Sequence, residues 1–342
     1  MTRGRAFSGW ASILLLSAVL LVARQQGGVS DVASNVLSDG HGHVGVYMTS
    51  YAMTKTSIVD GVLNALDRDL IDALVINVKN MHGEITYDSS VALAETIGSD
   101  IDRLDFPTLL AELKARGAYL IARQVLFYDP VLAAYLGYED EWIPASDPTA
   151  VAYNLAIAAE VAELGFDEIQ FDYVRYADGG ELVAAYEERY EAVTSFLEQA
   201  RALLAERVFV SADVFGRVLW SWNERLIDPI GQSLEQMGPL LDFISPMLYP
   251  SHYAEAAYQQ EPYLVVSDAL ASGRSRYDVA LRPYLQAFDR AIPSTMSLQT
   301  YILEQVQAAV DSGADGYLFW HPACEYEVLF SALEERAAHG KK

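Results

Sequence analysis

From residue 44 onward the chain alternates between two hydrophobic patterns. Short apolar, β-branched or aromatic runs recur, each bounded by polar or turn residues, as expected of strands buried on both faces. They fall at Val44–Thr49, Ala73–Lys79, Ala118–Gln124, Phe166–Tyr173, Val208–Asp213, Asp242–Leu248, Asp278–Pro283 and Gly316–Trp320. Longer segments with helix signals lie between them. Thr149–Leu164 is Ala-rich and follows Asp147-Pro148, a capping residue and then a proline at the first helical position. Thr300–Ser312 stops at Gly313. Asp105-Phe-Pro opens a helix that ends at Arg116-Gly117, and Glu181–Glu206 predicts a long helix just ahead of a strand.

Strands that alternate with helices predict a parallel sheet, and eight such units predict an α/β fold of the (β/α)8 TIM-barrel type. The barrel is expected as a single domain over residues 44–335, with 336–342 as a polar tail. An open doubly wound sheet is the runner-up, weakened because no Gly-rich phosphate turn follows the first strand. Ahead of the barrel, Arg3 and Arg5 precede an apolar run from Trp10 to Ala23. This reads as a signal peptide, residues 1–23, or as an uncleaved N-terminal anchor. The run is shorter than the roughly 20 residues of a comfortable bilayer span. Residues 24–43, rich in Gly, Ser and Asp, read as a linker. The barrel is therefore expected outside the cytoplasm, whether secreted, periplasmic or tethered, with membrane contact only through the anchor.

Composition narrows the chemistry. Of 342 residues, 52% are hydrophobic and 20% charged, enough apolar material for a large core. The 23 basic residues face 47 acidic ones, a net charge of −24, which argues against nucleic acid and against anionic membrane surfaces. Loss of residues 1–23 would remove two arginines and no acid, leaving −26. The single cysteine, Cys324, excludes an internal disulfide or a thiolate metal cluster within one chain. No cofactor is expected.

In a (β/α)8 barrel the active site lies at the C-terminal strand ends. Along the fourth strand Glu168, Gln170 and Asp172 share one face and Ile169, Phe171 and Tyr173 the other. With the apolar set facing the helices, Asp172 projects into the barrel mouth, and Asp213 holds the matching place on the fifth strand. Adjacent strand ends lie about 4.8 Å apart. Two carboxyls there can flank a scissile glycosidic bond, one ionised and one protonated. Either Asp can also be a helix cap or an ion-pair partner. Arg123 and Arg175 are candidates to hold one carboxylate ionised. Tyr47, Lys79, Tyr249, His252, Arg282, Gln286 and Trp320 complete the expected substrate-binding set. For several of these a structural role competes: Lys79 pairs equally well with a carboxylate, Tyr249 and Trp320 suit the core, and Arg282 sits beside Pro283.

These strand ends resemble a bacterial TIM-barrel family, the putative glycosyl hydrolase domain, a domain-of-unknown-function type. The matching pieces are Gly45-Val-Tyr47, Val75-Ile-Asn-Val-Lys79, Asp167-Glu-Ile-Gln-Phe-Asp-Tyr-Val-Arg-Tyr176 and Ser211-Ala-Asp-Val-Phe-Gly216. Others are Ile244-Ser-Pro-Met-Leu-Tyr-Pro-Ser-His-Tyr253, Arg282-Pro-Tyr-Leu-Gln-Ala-Phe288 and Gly316-Tyr-Leu-Phe-Trp320. Together they cover about residues 44–330. Asn77 stands where an acid would be expected and Tyr284 where Trp is usual. A more distant similarity is to chitinase-type barrels, whose fourth strand reads Asp-x-x-Asp-x-Asp-x-Glu. Here the line is Asp167-x-x-Gln170-x-Asp172-x-Val174, which argues against a substrate-assisted chitinase mechanism.

The resemblance implies a glycoside hydrolase acting on a carbohydrate. Two other readings stay open. One is a non-catalytic barrel that binds envelope polysaccharide. The other is a metal-dependent hydrolase using His82, His252 and His321; His41-Gly-His43 precedes the first strand and so lies at the wrong end of a barrel. No metal is expected, and the oligomeric state is open.

Overall fold

The computed structural model describes residues 40–180 and 186–340. Eight parallel strands close into a barrel: β1 (Val44–Met48), β2 (Ala73–Lys79), β3 (Tyr119–Val125), β4 (Glu168–Asp172), β5 (Phe209–Phe215), β6 (Phe243–Met247), β7 and β8 (Tyr317–Trp320). Strand β7 comes in two pieces, Ala280–Leu281 and Tyr284–Gln286. Closure is made by β1 on β8, where Gly45 pairs with Leu318. The break in β7 has a covalent cause. Pro283 has no N–H to give to the ladder, while its carbonyl still accepts from Leu318 N at 2.8 Å. The strand expected to end at Pro283 therefore resumes beyond it and carries Tyr284 and Gln286 to the barrel's upper end.

The outer layer consists of α1 (Thr56–Asp67), α2 (Phe106–Ala115), α3 (Pro148–Leu164), α4 (Glu187–Leu204), α5 (Leu234–Met237), α6 (Pro262–Arg276), α7 (Leu298–Asp311) and α8 (Glu327–Ala338). The expected caps are in place. Asp147 accepts from the backbone N–H of Thr149 and Ala150, both at 2.9 Å, and α3 ends at Gly165 in the left-handed region, φ 103°. Short helices at Ala92–Ile97, Pro130–Leu136 and Ala256–Gln260 interrupt the loops after β2, β3 and β6. These are too brief to leave a periodic signal in the sequence.

Alternate strand residues such as Leu74, Ile76, Ile169, Phe171, Val210 and Ala212 are fully buried between barrel and helices. Phe171 meets Phe196 of α4 edge-on at 5.4 Å. Burial of each such ring contributes about 1.5–3 kcal/mol. The other face of the strands fills the barrel interior, and there the packing is polar. At its lower level Glu168 binds Arg282, Ser211 Oγ and, at 3.0 Å, Tyr119 OH. Glu168 and Arg282 are both fully buried. Residues 40–43 cover this end: the His43 ring stacks on Tyr119 at 4.1 Å and His41 meets Phe243 edge-on at 5.1 Å. The end of the stretch read as linker is thus part of the barrel's floor.

At the other terminus α8 runs to Ala338, and Arg336, assigned to a polar tail, is buried and donates to Gln307 Oε1 at 3.0 Å. The segment read as signal peptide or anchor lies outside the described residues. Among the described residues no helix is long and apolar enough to cross a membrane.

Candidate active site

Strand register brings the two expected carboxyls together. Gln170 pairs with Ser211 and Phe171 with Ala212, so Asp172 and Asp213 stand side by side at the upper ends of β4 and β5. Beneath them Gln170 donates to Ser245 Oγ at 3.1 Å and accepts from Tyr284 OH at 2.7 Å. This saturated layer is a rigid base on which the carboxyls sit.

Arg123, from the end of β3, occupies the centre of the mouth. Its Nε donates to Asp172 Oδ2 at 3.0 Å, its Nη2 donates to the same oxygen, and its Nη1 donates to Asn77 Oδ1 at 2.8 Å. Asn77 Nδ2 in turn donates to Tyr47 OH at 2.9 Å. Burial alone would lower the Arg123 pKa, but Asp172 above all, with Tyr47 and Asp213, drives it well above the usual value. It is a fixed cation, and Asp172 is its bound carboxylate. The second Asp172 oxygen, Oδ1, accepts from the N–H of Tyr173 at 2.6 Å. Tyr173 has φ +53°, a left-handed conformation that a bulky side chain seldom adopts. That turn folds its N–H back onto the carboxylate.

Asp213 has a different environment. It is 2% exposed, Oδ1 has no hydrogen-bond partner, and Oδ2 lies 3.7 Å from Arg123 Nε, an ion-pair distance without a hydrogen bond. Burial and then the charge of Asp172 push its pKa well above the ordinary carboxylate range, against the opposing pull of Arg123 and Arg282. The two neighbouring carboxyls thus have different environments: Asp172 is bonded by a guanidinium, and Asp213 is desolvated, which favours its protonated form.

Aromatic rings wall the mouth on the β8 side. Trp320, partly exposed, stacks with Tyr47 at 6.4 Å, lies tilted to Tyr249 at 5.7 Å and meets Phe288 edge-on at 5.3 Å. Burial raises the pKa values of Tyr249 and Tyr284 well above normal, so both are neutral hydroxyls. His252 lies on the loop after β6, 5.3 Å from the Tyr249 ring, and partial desolvation of its half-covered ring, with Arg290 nearby, lowers its pKa. Opposite, the Arg175 guanidinium sits 4.5 Å from the Trp142 ring, 5.0 Å from Tyr173 and 4.4 Å from Phe215.

Three residues expected to touch substrate are placed elsewhere. Lys79 is fully buried, with Nζ 2.7 Å from Asp129 Oδ2 and 2.9 Å from the carbonyl of Val125. A register shift between Asn77 and Lys79 leaves Asn77 at the mouth and takes Lys79 out of it. Arg282 belongs to the lower interior with Glu168. Gln286 is fully buried and shapes loops, accepting from Ser251 N at 3.1 Å and donating to the carbonyls of Phe288 and Arg290. Conversely, the sequence reading gave no role to Trp142 or Phe215. Trp142 lies in the loop between β3 and α3, where no periodicity marks it. Phe215 falls two residues after Asp213 on the same strand, a signal that was legible.

Among the described residues no cluster of three or more His, Cys, Asp or Glu is placed to hold a metal ion. A groove of about 670 Å3 lies on the outer helices between Tyr263, Leu303 and Arg336, and contains none of the strand-end residues.

Solved structures share this architecture. The PgaB (BpsB) glycoside hydrolase domain from Bordetella bronchiseptica superposes with a TM-score of 0.62 at 15% identity, over 85% of this chain and 98% of that one. The endo-beta-1,4-mannanase from Thermotoga petrophila gives 0.58 at 13% identity, over 86% and 76%. The Rhizomucor miehei chitinase RmChi1 gives 0.55 at 11% identity, over 86% and 99%. At these identities the likeness is one of fold. No curated protein sequence matches the chain. The family model described as the putative glycosyl hydrolase domain matches residues 45–326, most of the barrel with both carboxyls, and the chain belongs to that family.

Proposed function

We propose that the chain is a glycoside hydrolase cutting a polysaccharide or oligosaccharide, with Asp213 as general acid and Asp172 as nucleophile. The observation that carries this is the split environment of the two neighbours: Asp172 bonded twice to Arg123, Asp213 buried with an unbonded oxygen. A neutral Asp213 protonates the glycosidic oxygen as the bond breaks. The Asp172 anion faces the developing positive charge at the anomeric carbon. Asp172 Oδ2 and Asp213 Oδ2 lie 3.0 and 3.7 Å from one nitrogen, Arg123 Nε, so both carboxyls face the same point of the mouth. Direct attack by Asp172 gives retention and attack by a water held between the carboxyls gives inversion, so the anomer of the first product separates the two. Trp320, Tyr47 and Tyr249 offer flat faces for the C–H surfaces of sugar rings. Val174, fully buried, occupies the position of the acid in chitinase-type strands, which supports a proton donor on β5 instead.

The proposal extends to location: the apolar run after Arg3 and Arg5 directs the barrel out of the cytoplasm, as a secreted, periplasmic or tethered enzyme. The test is a product screen of purified protein against polysaccharides and oligosaccharides, with the anomer of the first product read by NMR. Release of the retained anomer, lost in Asp172→Asn, is the expected result. Binding without turnover by the wild-type protein on every glycan bound would instead identify a carbohydrate-binding barrel.

A further inference from the structure

Arg175 stands out among the cations of the mouth. It is only 8% exposed, yet among the described residues it forms no ion pair, and its one hydrogen bond there runs from Nη1 to the carbonyl of Tyr176 at 2.9 Å. By contrast Arg123 is saturated by Asp172 and Asn77, and Arg217 by Asp178 and Asp228. A guanidinium carries five donors in a planar fork. Among the described residues Nε and Nη2 have no hydrogen-bond partner, and the residue keeps some of its surface exposed. These two nitrogens form one edge of the fork, the edge that grips both oxygens of a carboxylate. The rings of Trp142, Tyr173 and Phe215 pack around the group and fix its orientation.

The location ties this edge to the reaction centre. Arg175 follows Asp172 by three residues, and Phe215 follows Asp213 by two. Asp172 is the strongest charge acting on Arg175. A cation so desolvated and unpaired is costly on its own, and it becomes favourable when a ligand anion completes it. We infer that Arg175 is a specificity-determining residue that binds the carboxylate of an acidic sugar lying beside the cleaved bond. The inference rests on the glycosidase reading for its meaning in catalysis, while the anion site itself stands on geometry alone. The chain's overall negative charge makes the local pairing more telling, since no general attraction draws an acidic glycan in.

The experiment compares matched probes on the full chain. Uronate oligosaccharides carry the carboxylate at C6, and N-acetylmuramate-containing glycans carry it on a lactyl ether. Each is paired with its carboxyl-reduced, neutral form. The wild-type protein is expected to favour one acidic form over its neutral partner by roughly thirtyfold or more in kcat/KM, the scale of losing a buried charge pair. Whichever acid type shows the preference names the source. In Arg175→Gln that ratio should collapse toward unity; in Arg175→Lys, which keeps charge but not the fork, it should fall to an intermediate value. Equal cleavage of acidic and neutral forms by the wild type overturns the inference and leaves the glycosidase reading standing. Acid-selective binding lost in Arg175→Gln, without any cleavage, keeps the anion site and removes the glycosidase reading. No acid preference in either cleavage or calorimetric binding overturns the inference directly, with no variant needed.

Discussion

Arg123 grips a single oxygen of Asp172 with two of its nitrogens and passes Asp213 at 3.7 Å without a hydrogen bond. One guanidinium thereby distinguishes two carboxyls on adjacent strands. Replacing Asp172 with Asn removes the anion but keeps the side-chain shape and the acceptor for Arg123. Turnover should fall by at least about a thousandfold, as expected when a nucleophile is lost, while the circular dichroism spectrum is unchanged. Activity within a factor of ten of wild type would remove Asp172 from the mechanism.

The acid makes a prediction about pH. Catalysis requires protonated Asp213, and its raised pKa places the alkaline fall of kcat/KM above the ordinary carboxylate range. The same shift bears on stability. In the unfolded chain the group ionises near pH 4; in the folded chain it stays protonated to higher pH. Between those two values the folded state binds the extra proton, so stability falls as pH rises, and the whole loss is present above the folded pKa. Asp213→Asn should remove that loss. Its melting temperature at pH 8 should exceed that of wild type by about 2 °C or more, given roughly 2–4 °C per kcal/mol for large domains. The difference should vanish near pH 4, and turnover should be lost throughout. A wild type more stable than the variant at pH 8 would contradict a buried neutral acid.

Much of this was legible in sequence, and the failures have physical causes. Alternation along β4 sorted Glu168, Gln170 and Asp172 onto the interior face, because a strand's period of two admits no other arrangement. Strand order then fixed Asp213 as the neighbour. The same reasoning failed for Lys79, where a register shift after Asn77 altered the facing of the last residue. It failed for Arg282 because strand break and barrel level are properties of the ladder: Pro283 ends the first piece of β7, leaving Arg282 low beside Glu168. Trp142 was invisible because a loop residue's partners are set by long-range packing.

Two ion pairs of the barrel, fully buried at both ends, lead to a stability prediction. Lys79–Asp129 and Arg282–Glu168 are both fully removed from solvent. Deleting one member leaves an uncompensated buried charge, at a cost of about 3–5 kcal/mol. Lys79→Met and Arg282→Met should each lower the unfolding free energy extrapolated from urea titration by that amount. Adding Asp129→Asn to the first, or Glu168→Gln to the second, should recover part of the loss. Asp129 also caps the helix Pro130–Leu136 through Leu132 N at 2.9 Å, a role that asparagine retains. Additive losses in both cycles would show that neither pair is coupled.

Trp320 divides binding from chemistry. Its ring is supported by Tyr47, Tyr249 and Phe288 but remains partly exposed, so it presents a held face to the mouth and does not fill the core. A sugar stacked there is held by contacts that persist from ground state to transition state. Such uniform binding sets KM and leaves kcat nearly alone. Trp320→Ala should therefore raise KM about tenfold or more with a much smaller change in kcat, while Trp320→Phe, which keeps a flat ring, should restore most of the affinity. Loss in kcat alone would mean that the ring positions the reacting sugar against the carboxyls; unchanged kinetics in both variants would move the sugar platform away from β8.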